Sequence, residues 1–179
     1  MKNPLLLFLL FLVTASYSQK ILTVKNAIVL FEASVPISEP VAAKNEAVRG
    51  ALNTKRGYLS FEIPMKKFQF ERSLMEEHFN ENYLETRRYP VATFKGLIEK
   101  FELNILSTIP TLYLIKGKIT IHGQSKDISI TGKINHTDDG IEILSDFSLN
   151  TDDFDIQIPY LVRNKISKNV TVSLSSIFN

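Results

Sequence analysis

The sequence predicts an all-β fold: an antiparallel, up-and-down barrel of about eight strands, with one amphipathic helix inserted across an opening. Three observations predict it. Apolar residues recur at every second position along six segments between Tyr58 and Leu174, the signature of sheets with one apolar and one wet face. The links between successive segments are short and rich in turn residues, which favours neighbouring strands in sequence becoming neighbours in the sheet. One segment alone, Ser73 to Leu84, switches to helical spacing. Closure into a barrel removes exposed strand edges. A two-layer sandwich is the alternative closure. Spacing does not separate the two, although the scarcity of long crossing loops favours the barrel.

The elements follow in chain order. Lys2, the unbroken apolar run Leu5 to Val13 and the small residues of Ser16-Tyr-Ser18 form a three-part signal peptide over residues 1–18. The run is too short for a membrane span, which needs about 20 apolar residues. The mature chain is expected to begin near Gln19, to be periplasmic or secreted, and to carry no lipid anchor, since no cysteine follows. Residues 19–179 are expected to form one domain. Ala27 to Ser34 and Glu46 to Asn53 are the weaker strand candidates. Thr54-Lys-Arg-Gly57 supplies a turn, and Leu59, Phe61 and Ile63 share one face of the strand that follows. Met65-Lys-Lys-Phe-Gln-Phe70 adds apolar mass.

Ser73 with Glu76 three residues later has the form of a capping box. Met75, His78, Phe79, Asn82 and Tyr83 then recur at helical spacing, while Glu76, Glu77, Asn80 and Glu81 lie largely elsewhere. The helix must end before Tyr89, because Pro90 biases that residue toward extended geometry. A helix inserted between strands of a closed barrel has few places to go except across a mouth. Met75, Phe79 and Tyr83 are its inward face.

The remaining strands alternate cleanly. Ala92, Phe94, Gly96 and Ile98 share a face, as do Tyr113, Ile115, Ile119 and Ile121. His122-Gly123-Gln-Ser joins that strand closely to the one carrying Ile128, Ile130 and Ile134. Asp138-Asp-Gly140 is a hairpin signal. Ile141, Ile143, Phe147 and Leu149 follow, then Val170, Val172 and Leu174. On this register Phe61, Phe94, Tyr113, Ile119, Ile121 and Phe147 point inward. A slip of one residue would turn a whole strand's set outward.

Composition excludes several classes of function. There is no cysteine, so neither disulfides nor thiol chemistry operate. The formal charge of +2 becomes +1 once Lys2, the sole charged residue of the leader, is removed. Near-neutrality of the whole chain gives no electrostatic footprint for nucleic acid or anionic membrane. The three histidines show no metalloprotease spacing, there is no nucleophile elbow, and the seven glycines are scattered singly. His78 reads as a polar residue at the margin of the helix's buried face, His122 as a hydrogen-bonded turn residue, and His136 as solvent-facing. Glu81 with Glu85, and Asp152 with Asp153 and Asp155, read as solvated charges. No metal or cofactor is expected. Asn135-His-Thr137 and Asn169-Val-Thr171 match a glycosylation sequon.

Twelve Phe and six Tyr stand against no Trp. From pattern alone a packed aromatic core is the simpler reading. Two stretches point elsewhere. The helix with Tyr89-Pro-Val-Ala-Thr-Phe-Lys-Gly96, and Gly117-Lys-Ile-Thr-Ile-His-Gly-Gln-Ser-Lys126, together resemble the YceI-like family of secreted polyisoprenoid-binding proteins. Val48-Arg-Gly-Ala-Leu52 only approximates the Val-x-Gly-x-Phe pattern of many members, and their tryptophan-containing opening strand is missing. The resemblance implies an extended, lipocalin-like eight-stranded barrel. It implies a tubular cavity, lined by several of the six inward residues and lidded by the helix, that holds an isoprenoid or other long-chain amphiphile. The function it implies is non-enzymatic binding, sequestration or transport of that lipid outside the cytoplasm, compatible with transient membrane contact and with monomer or dimer. A secreted partner-binding module with a filled core and a secreted hydrolase are the rival readings.

Overall fold

The structure is a computed structural model and describes residues 21–179. The leader assignment, residues 1–18, and cleavage near Gln19 lie outside the described residues. Ten strands form one antiparallel sheet: β1 (Ile21–Ser34), β2 (Ala42–Asn45), β3 (Arg49–Asn53), β4 (Tyr58–Pro64), β5 (Gln69–Phe70), β6 (Val91–Ile98), β7 (Thr111–Ile121), β8 (Gln124–Thr137), β9 (Gly140–Asn150) and β10 (Ile166–Phe178). The sheet closes because β10 pairs with β1 from Val24↔Phe178 to Ser34↔Ile166. Closure excludes the sandwich.

The ring has eight walls, because two of them are interrupted strands. β2 and β3 meet β1 in one continuous register, Val29↔Asn45 and Leu22↔Leu52, with Glu46 to Val48 unpaired between them. β4 and β5 likewise follow one another along β3 and β2, separated by the 3-10 turn Met65–Lys67. The expectation of a strand over Glu46 to Asn53 was therefore too long at its start, and β1 begins earlier than Ala27.

The β7–β8 connection is a two-residue loop closed by the pair Ile121↔Gln124. Its two residues, His122 and Gly123, have φ of 50° and 75°. Positive φ at both central positions is the geometry whose twist matches a hairpin.

The inserted helix, α1 (Ser73–His78), is shorter than the predicted Ser73 to Leu84. It passes directly into a π-type turn, Phe79–Tyr83. The capping box is not formed. Arg72, in extended conformation, is the N-cap and contributes no side-chain hydrogen bond. Glu76 instead accepts from the Phe70 backbone N–H at 3.4 Å.

The barrel interior divides into two halves. One end is filled by Leu52, Ile98, Phe101, Ile134, Ile141, Ile143 and Phe178, all buried. The Phe61 and Phe178 rings meet there, with centroids 5.7 Å apart. The other half is hollow.

Candidate functional site

The hollow half is a cavity of about 750 Å3. Its walls are built by alternation. Across β4, β6 and β7 the pairs Phe61↔Phe94 and Phe94↔Ile119 place three inward side chains side by side. The next inward row holds Leu59, Gly96 and Gly117, and the two glycines face each other. The Phe94 ring leans over that pair, with its Cζ 2.6 Å from where a methyl group on Gly96 would sit. Phe94 thus floors the cavity together with Leu59 and Ile115, and none of the seven side chains named for the packed end lines it.

Five of the six inward residues line this space: Phe61, Phe94, Ile119, Ile121 and Phe147. Tyr113 does not. It lies on the same face of β7, but towards the packed end, where its ring meets Phe101 with centroids 6.3 Å apart. Alternation assigns a side chain to a face and carries no information about depth along the barrel.

The cover is aromatic. Met75, Phe79 and Tyr83 all line the cavity, together with His78 and Leu84. Phe79 stacks on Phe31 of β1 at 5.5 Å and meets Phe68 and Phe70 at 5.6 and 5.1 Å. Aromatic pairs at such separations contribute about 0.5–1.5 kcal/mol each beyond burial. The short helix is therefore fastened by four rings rather than by its cap. Burial holds the Tyr83 hydroxyl above the ordinary tyrosine pKa, because the phenolate would lose hydration.

A second part of the wall was missing from the sequence reading. Phe154, Ile156 and Ile158 are buried and line the cavity beyond β9. Their own alternation, ended by Pro159, was the signal that could have found them. His122 secures this segment. One imidazole nitrogen, Nδ1, lies 3.1 Å from the Phe154 carbonyl oxygen, and Nε2 lies 3.1 Å from Glu85 Oε1, at the end of the cover. His122 is thus a hydrogen-bonded turn residue that ties cover, hairpin and wall together, and it does not line the cavity.

The opening lies where lining residues are exposed: Pro36, Ile37 and Glu39 on the loop after β1, Asn164 and Lys165 before β10, and His78. Polar groups are otherwise few. Ser145 donates its hydroxyl to the Thr131 carbonyl at 2.7 Å. Among the described cavity-lining residues no hydroxyl is hydrogen-bonded to a histidine or carboxylate, and among the described residues no three His, Asp or Glu side chains are grouped to hold a metal. Asn135 of the first sequon is buried.

A closed eight-stranded barrel, packed at one end and hollow and apolar at the other, is the architecture of a small-molecule container. The chain belongs to the YceI-like domain family, which matches residues 16–178. Solved structures share the fold at low identity. A polyisoprenoid binding domain from Saccharophagus degradans superposes with a TM-score of 0.78 at 15% identity, covering 88% of this chain and 97% of that one. BcnA from Burkholderia cenocepacia gives 0.69 at 12% identity, covering 84% and 95%. The YceI protein of Campylobacter jejuni gives 0.52 at 18% identity, covering 70% and 77%. No curated protein matches the sequence.

Proposed function

We propose that this protein binds a long apolar chain, of isoprenoid or similar amphiphile type, and sequesters or carries it outside the cytoplasm without chemical change. The observation that carries this reading is the cavity itself: about 750 Å3, walled by Phe61, Phe94, Ile119, Ile121, Phe147 and the aromatic cover, with polar residues concentrated at its open end. Volumes of roughly 300–1,000 Å3 are usual for small-molecule sites. Each methylene withdrawn from water contributes about 0.8 kcal/mol. A hydrocarbon collects that gain along its length, while the rim keeps a polar head in water. The leader-like residues 1–18 support export, and the relative from Saccharophagus degradans is itself described as polyisoprenoid-binding.

The hydrolase reading lacks a paired nucleophile and base in the cavity. A partner-binding module with a filled core is disfavoured by the hollow half of the barrel. Native mass spectrometry of the purified protein, followed by organic extraction, tests the proposal. The expected result is a co-purifying amphiphile released on denaturation. A protein of bare polypeptide mass that also fails to take up added polyprenol would refute it.

A further inference from the structure

Two loops border the opening, and both display apolar side chains to solvent. Ile37, on the loop after β1, is 108% exposed, while Tyr160 and Leu161, in the 3-10 turn Tyr160–Val162, are 82% and 87% exposed. The loops touch: the Ser38 hydroxyl lies 3.4 Å from the Lys165 carbonyl oxygen. Both also reach into the cavity, through Pro36 and Ile37 on one side and Ile158 and Val162 on the other. Scattered exposed apolar residues are ordinary. Here three large ones stand on the two loops that border the mouth of an apolar cavity.

Charge says what covers them. From Ile156 to Ser167 the chain carries two cations, Arg163 and Lys165, and no acidic residue. Neither is in an ion pair with another of the described residues. Arg163 donates from Nε to the Ile158 carbonyl at 3.1 Å and lies over the Tyr160 ring, 5.9 Å from its centroid. Two neighbouring charges are matched, Glu39 with Arg72 and Lys168 with Asp152. What remains is apolar and aromatic residues interleaved with unpaired cations, the composition that seats at the headgroup level of an anionic bilayer.

We infer that the rim formed by Ile37, Tyr160, Leu161, Arg163 and Lys165 docks on an anionic lipid surface, so that the cavity opens directly into the bilayer interface. The inference extends the lipid-binding reading and can fail separately from it.

The chain has no tryptophan, so Leu161→Trp gives a single reporter. Purified protein is mixed with vesicles of phosphatidylcholine alone, or with about one-third phosphatidylglycerol, and separated by flotation. Binding is expected to the anionic vesicles, with a blue shift of the Leu161→Trp emission. Leu161→Asp should weaken partitioning about tenfold or more, and Lys165→Gln about fivefold. Ile109 is 72% exposed on the loop leading into β7, towards the packed end, so Ile109→Asp should change nothing. Wild-type protein that floats with neither vesicle overturns the inference. So does an equal loss in Ile109→Asp, or a self-association that Leu161→Asp abolishes, which would assign the rim to a second copy. Native mass spectra of each variant report cargo separately. Docking by protein that carries no lipid and takes up no added polyprenol would leave this inference standing and remove the reading beneath it.

Discussion

The ring of Phe94 on β6 lies against Gly117 on β7. A methyl group added to Gly117 would fall 2.7 Å from Phe94 Cζ, and 2.5 Å from the Lys95 carbonyl oxygen. Gly96, directly opposite Gly117, is equally crowded by the same ring. The facing glycines are the slot into which the floor of the cavity folds. Their missing side chains are what lets Phe94 lie down.

Gly117→Ala should therefore raise the floor. The ring can tilt into the cavity, but the Lys95 carbonyl is backbone and must shift. A cost of about 1–3 kcal/mol is expected, as for overpacking generally. Urea unfolding should show the lower midpoint, and mass spectrometry should show shorter bound chains. Unaltered stability and cargo would mean that Phe94 is not held by the slot.

Phe94→Ala removes the floor. The hollow would extend towards the packed end, at a cost of about 3–5 kcal/mol from lost burial and the cavity left behind. Bound chain lengths should shift upwards. Phe94→Trp should shift them downwards. A cargo profile indifferent to both changes would place the ligand elsewhere.

The cover depends on rings and not on its cap. Ser73→Ala should lie within about 0.5 kcal/mol of wild type, since no capping hydrogen bond is lost. Phe79→Ala withdraws one ring from contact with Phe31, Phe68 and Phe70 and should cost about 3–5 kcal/mol. Faster release of a fluorescent fatty amphiphile should accompany it. Equal effects of the two substitutions, in thermal melts and release rates, would contradict this division.

Tyr83 should titrate late. Its folded pKa is raised by burial, so the folded state holds the phenolic proton more tightly than the unfolded chain does. The associated stability is fully present below the unfolded pKa and is lost as pH rises through the folded one. Ultraviolet titration against Tyr83→Phe isolates this group. Filling the cavity with an apolar ligand displaces water from around the hydroxyl and should move its titration further up. A downward or absent displacement on loading would show that Tyr83 does not face the ligand.

The strands from β4 onward were legible because one face of each is buried, and burial writes itself as period two. That is why Phe61, Phe94 and Ile119, on three strands, fall into one row. Interruptions were not legible. The Met65–Lys67 turn carries the same apolar mass as a strand, and only pairing shows that it interrupts one. Ser73 and Glu76 had the right spacing for a capping box, but the backbone turns helical one residue earlier, and Glu76 serves the Phe70 N–H instead. Tyr113 had the right face and the wrong depth. Phe154, Ile156 and Ile158 were overlooked because the acidic run Asp152-Asp153-Phe-Asp155 reads as a loop, although it passes straight into the cavity wall.

The seam between β1 and β10 sets the order of assembly. β1 is made first among the described strands, and its partner along Val24 to Ser34 is made last. Until β10 arrives, one long edge of β1 has nothing to pair with, and the ring cannot shut. Such distant pairing is slow, because the loop between the partners must be closed before any contact rewards it. Closure thus waits until the last of the described strands has been made. A chain stopped before β10 would lack the container altogether, since the last strand is at once the clasp and part of the wall.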